Sequence, residues 1–160
     1  MEMRKFCEYI NKYKDNLYMM ALAILKNETD AEDAVGNAIL KAYENIGQIR
    51  SIHKFKPWIL TITKNEALKI KKKRLLLPGN EEVEAMLEPV QAHYDELWDV
   101  LQQMKDEYRL VVVLFYYEDL SLRDISDVLN IPVGTVKSRL SRGKTELRNA
   151  LERGMKHEKV

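Results

Sequence analysis

Cysteine and histidine are almost absent from this sequence of 160 residues. Cys7 is the only cysteine, so no disulfide can form within the chain. The three histidines are scattered, and none has a cysteine at the spacing of a structural zinc site. We therefore expect no bound metal and no cofactor.

Long apolar runs are also missing. No stretch approaches the roughly 18 apolar residues of a membrane-spanning helix, and the first eight residues, MEMRKFCE, lack the apolar segment of a signal peptide. These absences predict a cytoplasmic protein that does not insert into a membrane.

Glycine and proline are scarce, with six and four residues respectively. Helix-forming residues dominate the rest of the chain, which favours an all-α fold. A chain of this length can be one domain or two small ones with modest cores. No nucleophile–base pairing, phosphate-binding glycine loop or metal set is recognisable, so we do not expect an enzyme.

The net charge of +1 conceals a strong segregation of sign. Residues 50–75 hold nine Lys or Arg against one Glu, a net of +8, whereas residues 78–107 hold one Lys against nine Asp or Glu, a net of −8. Residues 121–160 return to +4, from nine basic and five acidic side chains. Two basic blocks around an acidic one predict two contacts with a polyanion. Solvated faces of a helical bundle would more often intermix the signs.

Residues 121–151 have the pattern of a helix-turn-helix. Ser121 and Asp124 resemble a capping box that starts a short helix. Asn130 and Pro132 end that helix, and Pro132 suits the first turn of another. Apolar residues then recur at helical spacing at Val133, Val136, Leu140, Leu147 and Leu151. Two helices joined by a turn of three to four residues form this motif.

As far as residue 145, the outer face of the second predicted helix carries no carboxylate. At 100° per residue it presents Thr135, Ser138, Ser141, Arg142 and Thr145, with Lys137 and Arg139 on its flanks. Small hydroxyl side chains allow close approach to a groove, and Arg and Lys bond guanine edges or phosphates. An amphipathic helix with a solvated basic face is the alternative. Gly143 falls on the apolar side, where its missing side chain would permit close packing.

Two stretches of this region, LSLRDISDVL at 120–129 and GTVKSRLSRGKTELR at 134–148, resemble the promoter −35 reader of bacterial sigma factors of the extracytoplasmic-function group. Residues 104–121 resemble the scaffold helix before that reader. Residues 111–116 have strand propensity, but no partner strand is available, so we expect helix. The resemblance implies −35 contacts by Thr135, Lys137, Ser138, Arg139, Ser141, Arg142 and Lys144.

Residues 30–43, DAEDAVGNAILKAY, resemble the sigma-factor helix that docks on the clamp coiled coil of RNA polymerase. Thr29 or Asp30 is the predicted N-cap of this helix. Gly36 and Asn37 stand where the family more often has Gln and an acidic residue, which removes a long side chain and one charge. The resemblance implies polymerase contacts by Asp30, Asp33, Asn37, Leu40 and Lys41.

Residues 55–65, FKPWILTITKN, resemble the sigma-factor segment that opens and holds the promoter −10 element. Pro57 predicts the start of a helix. Melting DNA requires a basic surface for phosphates and aromatic or polar side chains for a flipped base. The spacing of Trp58 with Ile59 and Ile62 favours a core position instead. The resemblance implies −10 contacts by Lys54, Lys56, Trp58, Thr61, Lys64 and Asn65.

Pro78 and Gly79 end the first helical region where the charge changes sign. We therefore expect two small helical domains, residues 1–77 and 94–160, joined by an acidic linker at 78–93, with the helix-turn-helix in the second. By the resemblance, the first domain binds RNA polymerase core and melts the −10 element, and the second reads the −35 element. The resemblance also implies contact with the polymerase flap and control by an anti-sigma factor.

Two other functions remain open on the sequence alone. The first is a dimeric helix-turn-helix regulator that binds duplex DNA without polymerase. The second is an all-helical adaptor that holds protein partners and uses its basic faces only for solubility.

Overall fold

The computed structural model describes residues 1–77 and 96–158 of the chain, and the side chains of residues 1–77 and 97–154. The chain divides into two compact units, Met1–Val90 and Gln91–Val160. Within the described ranges every regular element is helical and no strand occurs, which confirms the all-α prediction. The predicted linker at 78–93 and the predicted domain start at 94 lie outside the described residues.

Within residues 1–77, the first unit is a bundle of three helices, α1 (Met3–Leu25), α2 (Glu28–Glu44) and α3 (Phe55–Leu75). Two short 3₁₀ turns, Ile46–Gln48 and Ile52–Lys54, connect α2 to α3. Each helix packs against the other two. The core between them holds large apolar side chains from α1 and α3 and alanines from α2, which allow close approach of the helices, namely Leu17, Met20, Leu22, Ala31, Ala34, Ala38, Ala42, Phe55, Ile59 and Leu60.

The junction between α1 and α2 corrects the predicted cap. Lys26 adopts a left-handed conformation, with φ of 54°, and ends α1. The Asn27 side chain then accepts a hydrogen bond of 2.8 Å from the backbone N–H of Asp30. Asn27, and neither Thr29 nor Asp30, therefore caps α2, because the sharp turn at Lys26 places Asn27 immediately outside the helix. Such a cap is worth about 1 kcal/mol.

Helix α3 begins two residues before the predicted start. Phe55 is its first residue and is fully buried, and Pro57 is the third. The first helical turn needs no intrahelical N–H donor, so proline is tolerated at this position as well as at the first. Burial of Phe55 therefore fixes the residue at which the preceding loop ends and α3 begins.

The second unit contains α4 (Glu96–Gln103), α5 (Asp106–Val112), α6 (Leu122–Leu129) and α7 (Val133–Glu158). The backbone of α5 continues as a π-helical turn over Val113–Tyr117, which confirms helix for the β-prone run. Helix α7 packs mainly against α5, and also against α4 and α6. Its core includes Trp98, Leu101, Val111, Val112, Leu114, Ile125, Val128, Val136 and Leu140.

A buried arginine closes the junction between α4 and α5. Arg109 is fully buried, and its guanidinium donates hydrogen bonds to the carbonyl oxygens of Met104 at 2.8 Å and Gln102 at 3.4 Å. It also pairs with the Asp106 carboxylate. Carbonyls at the end of α4 thereby obtain partners that the helix itself cannot supply. Arg109 consequently serves the fold and is not available to a ligand.

Candidate nucleic-acid interface

The turn between α6 and α7 has the predicted helix-turn-helix form. The Ser121 hydroxyl accepts a hydrogen bond of 3.0 Å from the backbone N–H of Asp124, as the capping prediction required. Asn130 ends α6 in a left-handed conformation, with φ of 54°. The Ser126 hydroxyl then donates to the carbonyl oxygen of Ile131 at 2.5 Å, which ties the turn back to α6 and fixes the direction in which α7 leaves.

Gly143 explains how closely α7 approaches the rest of the unit. An added Cβ at this residue would lie 2.6 Å from Cγ2 of Val112 and 3.4 Å from the carbonyl oxygen of Tyr108. Real Cβ atoms do not come so close to other atoms, so α7 can pack on α5 in this way only with glycine here. The prediction that Gly143 permits close packing is confirmed.

The predicted reading face of α7 is open to solvent. Lys137, Ser138, Ser141 and Arg142 are exposed, and Thr135 and Arg139 are half-buried. The Ser138 hydroxyl donates to the carbonyl oxygen of Thr135 at 3.1 Å. This local bond holds the small side chain against the helix, so nothing on this part of the face projects far enough to block a groove.

Two arginines of this face are held by α5. A guanidinium N–H of Arg142 donates to the Tyr108 hydroxyl at 3.2 Å, and this hydrogen bond raises the pKa of Arg142. Nη2 of Arg139 lies 3.8 Å from a carboxylate oxygen of Glu107. The scaffold helix therefore positions both side chains beside the predicted reading face.

Lys144 lies away from these side chains. Its ammonium nitrogen is 5.5 Å from the ring centroid of Phe115 and 5.6 Å from that of Tyr116, and the residue lines an apolar groove on the other flank of α7. Contact with aromatic rings favours this placement. The structure does not bring Lys144 together with Ser138 and Arg142.

Several predicted −10 residues share one face of α3. Trp58, Thr61 and Asn65 recur at helical spacing, with Asn65 exposed and the other two half-buried. Thr61 donates its hydroxyl to the carbonyl oxygen of Pro57 at 2.8 Å. The ring of Trp58 contacts Phe55, with centroids 5.8 Å apart. Trp58 is thus packed on one side and open on the other.

The predicted −10 lysines are in unlike environments. Lys54 is exposed and Lys56 is half-buried, with its ammonium nitrogen 5.7 Å from the ring centroid of Tyr13. Lys64 is buried, with 9% of its surface exposed, and this burial lowers the pKa of its ammonium group. The structure therefore does not place Lys64 on the exposed basic surface with Lys54.

The predicted docking residues of α2 also separate. Asp33, Asn37, Leu40 and Lys41 are exposed, whereas Asp30 is buried and its carboxylate lies 2.5 Å from a guanidinium nitrogen of Arg74. Asp30 thus joins α2 to the end of α3 and is not exposed with the other four.

A charged side chain of α3 also binds α2. The Glu66 carboxylate, which is nearly buried, lies 3.3 Å from the ammonium nitrogen of Lys41 and 3.1 Å from that of Lys69. Burial alone would raise the pKa of Glu66, but the hydrogen bonds from Lys69 and Lys41 outweigh it and lower that pKa. Lys41 therefore belongs to the helix–helix contact as well as to the predicted docking face.

Sequence reasoning missed two surfaces. One is an apolar groove of ≈ 530 Å³ in the second unit, whose lining includes Leu97, Leu101, Val113, Tyr116, Leu147 and Leu151. The other is a group of tyrosines on α1. The residues of both surfaces belong to apolar stripes that the sequence shows, but a stripe does not show which of its side chains remain exposed after the helices pack.

Within residues 1–77 and 96–158, no helix combines the length and apolar character needed to cross a membrane. The same part of the chain contains no group of three or more His, Cys, Asp or Glu side chains arranged to hold a metal ion.

Comparison with known proteins identifies both units. Residues 9–75 match the family model of sigma-70 region 2, and residues 94–147 match that of sigma-70, region 4. The ECF RNA polymerase sigma factor SigW of Bacillus subtilis is 33% identical, over 91% of this chain and 88% of its own length. RNA polymerase sigma factor SigV of the same organism is 28% identical, over 83% of this chain and 82% of its own length.

Two solved structures share the fold. One is the sigma factor RpoE from Bartonella quintana in complex with the anti-sigma factor NepR, with a TM-score of 0.77 and 22% identity over 94% of this chain and 98% of that chain. The other is CnrH in complex with the cytosolic domain of CnrY, with a TM-score of 0.70 and 19% identity over 94% and 90% of the two chains.

Proposed function

Because the chain belongs to the sigma-70 family, as a sigma factor of the extracytoplasmic-function group, we propose that its two helical units divide the work of promoter recognition. The first unit binds RNA polymerase core and opens the −10 element, and the second reads the −35 element. The observation that carries this proposal is the solvent-open face of α7, on which Lys137, Ser138, Ser141 and Arg142 present exposed hydroxyl and basic side chains.

The reading face has the composition that direct readout requires. Arg142 and Arg139 supply donors for guanine edges or phosphates, and the short side chains of Ser138 and Ser141 allow the helix to enter a major groove. Lys137 adds a contact to phosphate. Lys144 contributes to DNA binding through long-range charge, because its ammonium group lies over aromatic rings on the other flank.

The first unit supplies the second contact with DNA. Lys54 and Lys56 bind phosphates, and Trp58, Thr61 and Asn65 hold bases of the separated strand. Lys64 is buried, so it supports the packing beneath this surface and does not contact DNA directly.

Polymerase docking uses the exposed face of α2. Asp33, Asn37 and Leu40 line a hollow between α2 and α3 to which Ile70 also contributes. Gly36 leaves that hollow open, since nothing lies within 4 Å of the Cβ that another residue would place there. A side chain of the clamp coiled coil enters this hollow and compensates for the long polar side chain that the chain lacks at position 36. Asp30 supports the face through Arg74, and Lys41 supports it through Glu66.

The apolar groove of the second unit is the surface on which we place regulation. An anti-sigma factor covers this groove with an apolar helix and so prevents contact with the polymerase flap. The two solved relatives whose complexes contain NepR and the cytosolic domain of CnrY support this assignment by analogy of fold. The chain itself catalyses nothing in this scheme, and it acts in the cytoplasm, where polymerase supplies the chemistry.

The test is run-off transcription with core polymerase on a library of genomic fragments. Wild-type protein should direct core to a small set of promoters that share a −35 and a −10 sequence, and gel shift should require core for tight binding. Specific footprints by the protein alone at palindromic sites would instead identify a stand-alone dimeric regulator. A protein that binds neither core polymerase nor DNA would instead be the all-helical adaptor.

A further inference from the structure

Four aromatic rings of the first unit surround the buried ring of Phe55. Its centroid lies 5.1 Å from that of Tyr9, 6.1 Å from Tyr13, 5.8 Å from Trp58 and 6.2 Å from Phe6. Phe55 therefore joins rings of α1 to Trp58 of α3, which the proposed function places at the −10 element. Tyr9 and Tyr13 of α1 adjoin that surface through Phe55, and the proposed function assigns them no contact with DNA.

Tyr9 and Tyr13 remain open on one side. Both are half-buried, and they lie one turn apart on α1 with ring centroids 6.2 Å apart and an interplanar angle of 27°. The angle between Tyr13 and Phe55 is 25°. Nearly parallel rings that begin in the core and reach solvent provide π-surface for another flat ring.

Two lysine ammonium groups lie over the rings of this aromatic surface. The ammonium nitrogen of Lys12 lies 5.9 Å from the ring centroid of Tyr9 and 5.3 Å from that of Tyr13. The ammonium nitrogen of Lys56, from α3, lies 5.7 Å from the Tyr13 centroid. Positive charge from two helices therefore converges on the half-buried ring of Tyr13.

The stripe of α1 that carries these residues has no carboxylate between residues 5 and 16. It contains Lys5, Tyr9, Lys12, Tyr13 and Asn16, which recur at helical spacing. The nearest glutamate along the chain, Glu8, lies beside this stripe and pairs with Arg4 at 3.7 Å. A negatively charged ligand that binds along this stripe of α1 would therefore meet no acidic side chain within the stripe.

Exposed aromatic rings among lysines are the chemistry that binds single-stranded nucleic acid, because bases stack on the rings and ammonium groups neutralise the phosphates. Duplex DNA cannot use the rings, since its bases are already stacked on one another. We propose that Tyr9, Lys12 and Tyr13 form a stacking site for one or two bases of a single DNA strand, adjoining Lys56 and Trp58. The proposal rests on the proposed function, because the strand would come from the melted −10 element.

The full chain can be tested with two fluorescent oligonucleotides at low salt. One is an oligothymidylate of about twelve nucleotides, and the other has the same length with abasic sites at its central positions. By fluorescence anisotropy, wild type should prefer the base-bearing strand by about fivefold or more. The double variant Tyr9→Leu/Tyr13→Leu should lose this preference, because leucine keeps apolar volume but offers no ring. Lys12→Gln should weaken binding of both strands alike.

The matched control is Tyr43→Leu, which removes another partly exposed tyrosine that contacts the same cluster through Phe6. It should keep the preference for bases. Circular dichroism would establish that each variant is folded. A wild-type chain that binds the two strands equally, or neither, overturns the proposal, as does a folded double variant with the wild-type preference.

A second measurement separates this proposal from the proposed function. With core polymerase and a promoter obtained from run-off selection, the double variant should bind core like wild type but give several-fold fewer open complexes. If wild type neither binds core nor selects promoters, the proposed function fails. If wild type does both and the double variant opens the promoter equally well, only the stacking site fails.

Discussion

At the scale of single residues, neighbouring helices decide what each side chain of α7 can do. Tyr108 of α5 accepts a hydrogen bond from Arg142, which is itself solvent-exposed, and Glu107 lies near Arg139. A guanidinium that is already oriented loses less conformational entropy when it meets a base edge. Under the proposed function, these contacts from α5 would contribute to DNA reading without touching DNA.

The first prediction concerns Arg142. Arg142→Ala should weaken −35-dependent transcription roughly 5- to 150-fold if the side chain makes a bidentate base contact. Tyr108→Phe should act in the same direction with a smaller effect, because it frees the guanidinium without removing it. Run-off transcription from a matched promoter measures both. The same promoter with a scrambled −35 element is the control, and equal activity of mutant and wild type on the intact promoter would reject the contact.

The second prediction concerns Gly143. Gly143→Ala should destabilise the second unit by up to about 2 kcal/mol, because the clash with Val112 costs about 1–3 kcal/mol and better helix propensity offsets about 1 kcal/mol. The Cβ that Gly154→Ala adds in the same helix would have nothing within 4 Å, so this variant should stabilise the second unit slightly. Urea unfolding followed by circular dichroism compares the two variants. If both substitutions stabilise the unit, α7 does not pack on α5 as described.

At the scale of elements, ion pairs connect the helix proposed to bind polymerase with the helix proposed to bind DNA. Asp30 of α2 pairs with Arg74 of α3, and Lys41 of α2 pairs with Glu66 of α3. Both pairs have a nearly buried carboxylate, so losing one partner leaves a charge that water solvates poorly. These pairs restrict how α2 can move against α3.

The third prediction follows from the lowered pKa of Glu66. A carboxylate whose pKa is lower in the folded state stabilises that state above its unfolded pKa of about 4.3, and the contribution disappears as pH falls through the folded pKa. The difference in unfolding free energy between wild type and Glu66→Gln should therefore favour wild type near pH 6 and shrink as the pH falls below about 4.3. Urea unfolding at several pH values measures it. Glu8→Gln, at an exposed pair, is the control. A difference independent of pH would contradict the pairing.

The fourth prediction concerns the basic surface at the start of α3. Lys54→Glu with Lys56→Glu should impair promoter opening more than binding of core polymerase, because both lysines are proposed to contact the separated strand. Permanganate reactivity of the −10 thymines reports opening, and gel shift reports core binding. Lys72→Glu with Lys73→Glu makes the same charge change at two exposed positions of the same helix. Thymine reactivity equal to wild type in the first variant would exclude the assigned role.

At the scale of the whole molecule, the chain consists of two units that each bury their own core. Each unit is proposed to bind a different promoter element. Linking two binding modules makes the second binding event intramolecular, which raises its effective concentration. The connection between the units should therefore matter more for transcription than for the stability of either unit.

The fifth prediction tests that connection. A protease site placed between residues 78 and 93 should leave the melting temperatures of both units nearly unchanged after cleavage. Transcription should fall at least about tenfold at the same protein concentration, because the −35 contact no longer benefits from the tether. The uncut protein is its own control. Full activity after complete cleavage would show that the two units act independently.

Local chemistry explains what could be predicted from the sequence. The helix-turn-helix depends on residues close together in the chain, such as the Ser121 cap and the Asn130 stop, and both appear as predicted. Gly143 was predicted to lie on the packed side because helical periodicity alone assigns it to that side. The cap of α2 was misassigned to Thr29 or Asp30 because several residues there can cap a helix, and only the turn at Lys26 selects Asn27.

By itself, the sequence determined the all-α fold, the two basic blocks and the hydroxyl and basic side chains on one face of α7, because composition and helical period express these directly. Only the tertiary structure decided which charged residues are used inside the protein. Asp30 and Lys64 occupy predicted binding faces of their own helices, yet α3 pairs with the first and packing buries the second. Helical periodicity gives the direction of a side chain from one helix, whereas burial and pairing depend on the helix that packs against it.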